Sequence, residues 1–404
     1  MYRKCTISEI GEIVSGATPK TSISANFGGE IPWLTPADLS GYREKYISRG
    51  ARNLTQQGYD SCSTQLMPAG TVLLSSRAPI GYVAIAKNDI CTNQGFKSIV
   101  PKEGVDSEFL YYQLKYLKNT LQDSGSGTTF KELSAKKLGT VQVVVPPIEE
   151  QRCIVSKIEE LFSKLDASVA ELQTAKEKLK VYRQAVLKEA FEQAISMDSK
   201  EMTIDNLLVK TRKGMSTGPF GTMLKKHEHQ STGIPVLGIE NIGEGEFIPG
   251  NKIFVTPEKA LELQAFRLHA GDIIISRSGT VGELCIVPSY MENALLSTNL
   301  MRISLDDEIV LPRYFVYLFR SKGVVVDQVK ELCKGSTRMF LNQTILKQIR
   351  FPIPTIPAQQ KLIELVESRL SICDSIQQTI DISLQQAEAL RQSVLKQAFE
   401  GRLV

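Results

Sequence analysis

Residues 182–192 read YRQAVLKEAFE and residues 390–400 read LRQSVLKQAFE. The two stretches align without a gap at an offset of 208, Tyr182 against Leu390. Their mismatches are mild: Tyr182 against Leu390, Ala185 against Ser393 and Glu189 against Gln397. Each stretch closes a long helical pattern. In the first, apolar residues fall at Ile148, Val155, Ile158, Phe162, Leu165, Val169, Leu172, Leu179, Tyr182, Val186 and Phe191, mostly three or four apart. In the second they fall at Ile363, Val366, Leu370, Cys373, Ile376, Ile380, Ala387, Leu390, Val394 and Phe399. Charged and polar residues fill the gaps, and no Gly or Pro interrupts the chain between Pro147 and Gly214. Such narrow stripes predict amphipathic rods with coiled-coil seams. A rod of some 45 residues is roughly 65–70 Å long at 1.5 Å per residue. A lone helix of that kind cannot bury its stripe, so each rod needs a partner helix.

Each rod follows a mixed stretch, and the two mixed stretches repeat one pattern. Ile31-Pro32-Trp33-Leu34 answers to Ile234-Pro235-Val236-Leu237. GTVLLS (70–75) answers to GDIIIS (271–276), without gaps on to Gly81 and Gly282. Thr92-Asn93 is aligned with Thr298-Asn299, EFLYYQL (108–114) with RYFVYL (313–318), and Gly127-Thr128 with Ser336-Thr337. The rod starts VPPIEEQR (145–152) and IPTIPAQQ (353–360) also correspond, with Pro357-Ala358 where the first has Glu149-Glu150. Short β-rich runs at 71–75, 82–86 and 141–145 are set off by Gly, Pro, Asn and Asp. One helix is expected at 107–117, with Ser107 placed to cap it. The chain therefore divides into a globule (1–147), a rod (148–200), a second globule (201–355) and a second rod (356–404), two copies of one unit. The fold class is α/β (α+β), with the two rods packed against each other to cover their seams. An antiparallel pair predicts globules at opposite ends and a pseudo-twofold relation. A parallel pair predicts one composite site instead.

Totals narrow the setting. The chain has 404 residues, 42% hydrophobic and 23% charged, with no apolar run near the 18 or so residues that cross a bilayer. MYRKCTISEI lacks the apolar core of a signal peptide. Seven scattered cysteines with no C-x-x-C pair fit structural thiols in a reducing cytoplasm. The net charge of +4 divides unevenly. Residues 1–147 hold 16 Lys/Arg against 12 Asp/Glu and residues 201–355 hold 18 against 16, while the rods hold 9 against 10 and 5 against 6. The positive excess sits on the globules, as a polyanionic partner requires.

In the order of these motifs, each followed by a rod, the chain resembles the specificity subunit of type I restriction–modification systems. The motifs are I-P-x-L, G-x-[VI]-[LI]-[LI]-S, the Thr-Asn pair, the Gly/Ser-Thr loop, the Gln-bearing rod start and the RQ-x-VLK-x-AFE rod end. The resemblance covers essentially all 404 residues. It implies a phage-defence complex in which each globule is a target recognition domain reading half of a split double-stranded DNA site. The rods would form an antiparallel coiled coil that fixes the spacer and docks two modification (methyltransferase) subunits carrying S-adenosylmethionine, and restriction subunits would join them. The chain itself would bear no cofactor and no catalytic activity.

The sequence contains no Asn-Pro-Pro-aromatic segment and no G-x-x-x-x-G-K-[ST] loop, so neither an adenine methyltransferase nor a nucleotide-driven motor is expected. GSGTT (125–129) lacks the lysine of a phosphate-cradling loop. His227 and His229 lie in a polar loop without further ligands, and His269 sits at a turn. DNA contacts need cations or small donors on loops and long side chains that reach a groove. The candidates are Thr18, Lys20, Trp33, Arg43, Lys45, Arg77 and Thr128 in the first globule. In the second they are Arg212, Lys213, Lys225, Lys226, Arg277 and Arg338. Arg77 and Arg277 follow the same β-run one step out of register. For Trp33, packing is the competing role. Arg183, Gln184 and Lys188 recur as Arg391, Gln392 and Lys396, polar positions assigned to partner docking. The alternative function is a coiled-coil scaffold whose globules bind proteins.

Overall fold

The computed structural model describes residues 3–77, 79–127, 131–196, 199–219, 223–333 and 340–403. Thr128 and Arg338 lie outside them. The chain forms two compact units: Met1–Leu172 with Ile382–Val404, and Gln173–Asp381. Each unit combines one globule with a stretch of both rod helices, Ile148–Ser196 and Ile356–Phe399.

In the first unit a five-stranded sheet runs in the order Gly11–Ser15, Lys97–Pro101, Val72–Leu74, Val83–Ala86, Tyr46–Ile47. All its pairings are antiparallel except the last. The β-rich runs at 71–75, 82–86 and 141–145 supply three of the unit's strands, as their branched residues predict. Trp33–Leu34 pairs in parallel with Cys91–Thr92. The first strand, Arg3–Thr6, pairs antiparallel with the last, Gln142–Val145. This zipper brings the chain back to its own start and delivers it to the rod at Ile148.

The second unit repeats the scheme. Its four-stranded sheet is ordered Met215–Thr217, Leu300–Ile303, Ile273–Ser276, Leu284–Ile286. Val236 and Leu237 pair in parallel with Leu295 and Leu296. Lys200–Met202 zips to Phe351–Ile353 before the second rod begins.

The helix Ser107–Tyr116 is capped by Asp106, whose carboxylate accepts from the Glu108 and Phe109 amides at 2.9 Å. Ser107, the expected cap, lies inside the first turn and donates to the Gly70 carbonyl at 2.7 Å. An aspartate one residue earlier takes the cap because a carboxylate satisfies two of the free amides.

Within each unit the two rod helices run antiparallel. In the second unit Lys176 pairs with Asp381 (2.7 Å), Arg183 with Asp374 (2.5 Å) and Glu189 with Arg369 (2.8 Å). Residue numbers rise on one helix as they fall on the other. In the first unit Arg391 pairs with Asp166 and lies over the Phe162 ring, 5.1 Å from its centroid. These contacts correct the expected seam. Tyr182, Leu390 and Ile376 are about half exposed, not core. The seam passes from Leu179 to Arg183 and then Val186, so the arginine occupies the interhelical position and Tyr182 turns out to solvent. The offset of 208 carries the pair Arg183–Asp374 onto Arg391–Asp166.

The twin stretches end inside globular cores. Leu187, Ala190 and Phe191 join the core of the second unit, where the Phe191 ring meets Tyr314 at 5.3 Å. Leu395 and Ala398 join the core of the first, and Phe399 meets Phe109 at 5.3 Å and stacks on Tyr116 at 5.6 Å. Each rod end thus packs on the aromatic helix of a globule, Ser107–Tyr116 or Pro312–Arg320.

Candidate nucleic-acid interface

In the first unit four segments meet at one end of the sheet. Gly16 passes so close to the Thr92 and Asn93 carbonyls that a Cβ would lie 2.2 Å from each, which only glycine permits. Ala17 then donates its amide to the Thr92 carbonyl (3.0 Å), and the Thr18 hydroxyl donates to Gln94. Ser76 donates to the Gly95 carbonyl at 2.7 Å. Arg77 bridges to Glu132, which is itself zipped to Ser126. The fold therefore brings together two of the expected contacts, Thr18 and Arg77, with the bridged residues Ser126 and Glu132.

The electrostatics there are uneven. Burial pushes the Lys97 ammonium down, and Arg77 adds repulsion against the one nearby carboxylate, Glu132. Two cations facing one carboxylate favour a further anion, such as a phosphate. Lys97 was not among the sequence candidates. Its place in a strand hid it, and only the pairing of that strand beside Arg77 reveals it.

The second unit builds the same corner differently. Arg277 donates its amide to the Asn299 carbonyl and accepts from Leu341, both at 3.0 Å. Ser76 makes the matching pair of bonds with Gly95 and Leu133. Arg277 thus occupies the place of Ser76, one step from Arg77. Its guanidinium lies 4.7 Å from the centroid of Phe340, and Nη1 donates to the Thr298 carbonyl at 3.3 Å. Phe340 stands where the first unit has Glu132. One corner pairs its arginine with a carboxylate, and the other stacks it on an exposed aromatic face.

The strand pairing also corrects one alignment. Asn93 donates to the Leu34 carbonyl and Ser297 to the Leu237 carbonyl, so Asn93 corresponds to Ser297. Thr298-Asn299 matches Gln94-Gly95, and the two Thr-Asn pairs are not equivalent. A two-residue motif recurred by coincidence two positions away.

Several candidates have other employment. Trp33 is only 2% exposed, packs with Phe27, Leu54 and Cys91, and donates its indole N–H to the Ala17 carbonyl at 3.1 Å. It is a core residue and cannot stack on a base. Arg212 pairs at 2.6 Å with Asp272, a buried carboxylate that also accepts from Ser304 and His269. Lys45 is held by Glu108 at 2.7 Å and by Glu159. Lys20, Arg43, Lys213, Lys225 and Lys226 are exposed. Thr128 and Arg338 fall outside the described residues.

The docking positions divide likewise. Arg183 and Arg391 are taken up by the interhelical ion pairs, which supplies a coiled-coil reason for their recurrence. Gln184 is half-buried, while Lys188, Gln392 and Lys396 are exposed. Reversing the charge of Arg183 alone is expected to lower stability by about 1 kcal/mol. Combining Arg183→Glu with Asp374→Arg should recover most of that loss in denaturant unfolding.

A family model described as "Type I restriction modification DNA specificity domain" matches residues 2–177 and again residues 220–386. This chain belongs to that specificity family. The type I restriction enzyme MjaIX specificity subunit of Methanocaldococcus jannaschii is 32% identical over 378 residues, 89% of this chain and 85% of its own length. The EcoBI specificity subunit of Escherichia coli is 25% identical over 423 residues, covering 100% of this chain and 86% of its own. The HsdS subunit from Thermoanaerobacter tengcongensis shares the fold with a TM-score of 0.56 at 16% identity, over 99% of this chain and 97% of that one. A chain from a structure on complex assembly and conformational transition of the type I R-M system reaches 0.74 at 17% identity, over 99% and 98%. Recognition of DNA sequence by two domains is the role that membership of this specificity family carries. Among the described residues, no helix of this specificity-family chain is long and apolar enough to cross a membrane.

Proposed function

We propose that this chain is the non-catalytic, sequence-reading subunit of a cytoplasmic type I complex. Each globule reads one half of a bipartite double-stranded site through the corner built by Thr18, Arg77 and Lys97 or by Arg277 and Phe340. The helix pair sets the spacer and docks two methyltransferase subunits, and restriction subunits complete the assembly. S-adenosylmethionine and the methylation chemistry reside on the methyltransferase partners. Lys188, Gln184, Gln392 and Lys396 are the docking positions that remain once Arg183 and Arg391 are assigned to the coiled coil. The observation that carries this reading is the repeat itself: the same corner is built twice, each on a globule zipped to the start of its own rod.

Methylome sequencing of a host carrying the chain and its methyltransferase tests it. A split motif with one fixed gap is expected, and a continuous motif overturns the reading. With the purified complex, Arg277→Ala should weaken binding in one of two recognisable ways. Loss of a phosphate contact lowers the salt slope by about one. Loss of a base contact costs about 1–3 kcal/mol at one base pair only.

A further inference from the structure

Both globules are fastened to their rods by a cation held between two carboxylates, but with the globule's charges inverted. In the first unit the cation is Lys45, on the segment leading into Tyr46–Ile47. It pairs with Glu108 of the globule helix at 2.7 Å and with Glu159 of the rod. In the second unit the cation is Arg313, at the helix position that matches Glu108. It pairs with Glu246 at 2.5 Å and with Glu367 of the rod at 3.0 Å. Glu246 stands at the offset from Lys45 that links Gly70 to Gly271. Loop and helix have therefore exchanged signs between the two copies. The rod residue has not changed: Glu159 and Glu367 are 208 apart. A tyrosine recurs beside each, with Tyr112 and Tyr317 hydroxyls 3.4 Å from the respective carboxylate.

The surroundings bear the stamp of a built contact. Burial lowers the Lys45 ammonium, yet its hydrogen bonds to Glu108 and Glu159 outweigh that and raise it. Burial pushes the Glu108 carboxyl up, and the bonds from Lys45 and Tyr46 more than reverse it. Arg313 lies 4.8 Å over the Tyr317 ring.

Placement gives the contact a second meaning. Each rod glutamate lies eight residues beyond a buried glutamine that grips its globule, Gln151 or Gln359, about 12 Å along the helix. The antiparallel helix supplies a third attachment, Phe399 or Phe191. Attachments along one helix, the apolar contacts of Val155 and Ile158 or of Leu362 and Val366 included, leave the globule free to rock about that helix. A third, off the line, fixes its angle. We infer that Glu159 and Glu367 are positioning residues that set the angle of each globule on its helix pair, and through it the DNA spacer the chain accepts. This rests on the bipartite reading above.

The test uses the full chain with its methyltransferase and DNA duplexes carrying the native split site or the same half-sites one base pair closer or farther apart. The double variant Glu159→Gln, Glu367→Gln is nearly isosteric. It should lower the affinity ratio for native over altered spacing by about tenfold, the scale of one charge-assisted hydrogen bond. Lys45→Glu alone and Glu108→Arg alone should each lower that ratio. Lys45→Glu combined with Glu108→Arg copies the second unit's arrangement into the first and should restore it. Unchanged spacing preference in the Gln variants overturns the inference alone, as does failure of the combined variant to restore what the single changes lose. A wild-type complex that binds a continuous motif overturns the bipartite reading and this inference with it.

Discussion

Gln151→Leu is expected to destabilise the first unit by about 3 kcal/mol or more. Gln151 is fully buried at the rod start. Its side-chain amide donates at 2.8 Å to the Gly104 and Pro146 carbonyls, and its oxygen accepts from the Asp106 amide at 2.8 Å. Leucine fills similar space but leaves all three backbone groups without a partner, and each such group costs about 1–3 kcal/mol. Gln359 repeats the clamp in the second unit, donating to Ile309 and Pro354 at 2.9 Å and accepting from Leu311 at 2.8 Å. Gln151→Glu should be as damaging as Gln151→Leu, because a carboxylate accepts but cannot donate to two carbonyls. Denaturant unfolding measures the loss. Hydrogen exchange should place it around residues 104–106 for Gln151→Leu and around 309–311 for Gln359→Leu. Unchanged midpoints in both variants would sink the argument.

The second large effect belongs to the rod ends. Phe191 is 1% exposed and sits against Tyr314 in a core that includes Phe315 and Phe351. Phe191→Ala is expected to cost about 3–5 kcal/mol, from lost burial and the cavity left behind. Phe399 stands at the equivalent place but is only partly buried between Phe109 and Tyr116. Phe399→Ala should therefore cost clearly less. Equal losses, or a smaller loss at Phe191, would mean that the rod ends do not contribute as their burial indicates.

Much of this architecture is legible in the sequence because it depends on local pattern. Apolar spacing marked both rods nearly to their ends, Ile148–Ser196 and Ile356–Phe399. The β-branched runs marked strands, and the repeat marked the duplication. What escaped depends on partners distant in the chain. Arg183 looked like a surface docking residue because Asp374, which neutralises it, lies 191 residues away. Lys45 looked like a DNA contact because Glu159 is on another element. Trp33 could be read as rim or core until the pairing with Cys91 buried it. Gln151 was visible as part of a recurring rod start, but its three backbone partners were not. The mismatch of Glu189 with Gln397 now has a cause, since Glu189 faces Arg369 and the residue matching Arg369 in the other copy is Leu161.

The composition of the two compact units bears on the order in which they mature during synthesis. Gln173–Asp381 is one continuous stretch and is complete once its last residue leaves the ribosome. Met1–Leu172 must wait for Ile382–Val404, although it emerges first. At about 5–20 residues per second, translating the intervening segment takes about 10–40 seconds. During that interval Phe109, Val155 and Ile158 lack Val394, Leu395, Ala398, Phe399 and Leu403, the C-terminal residues of their core. The later-made unit is thus the first to finish, and a nascent chain cut short near its C-terminus leaves its N-terminal globule incomplete.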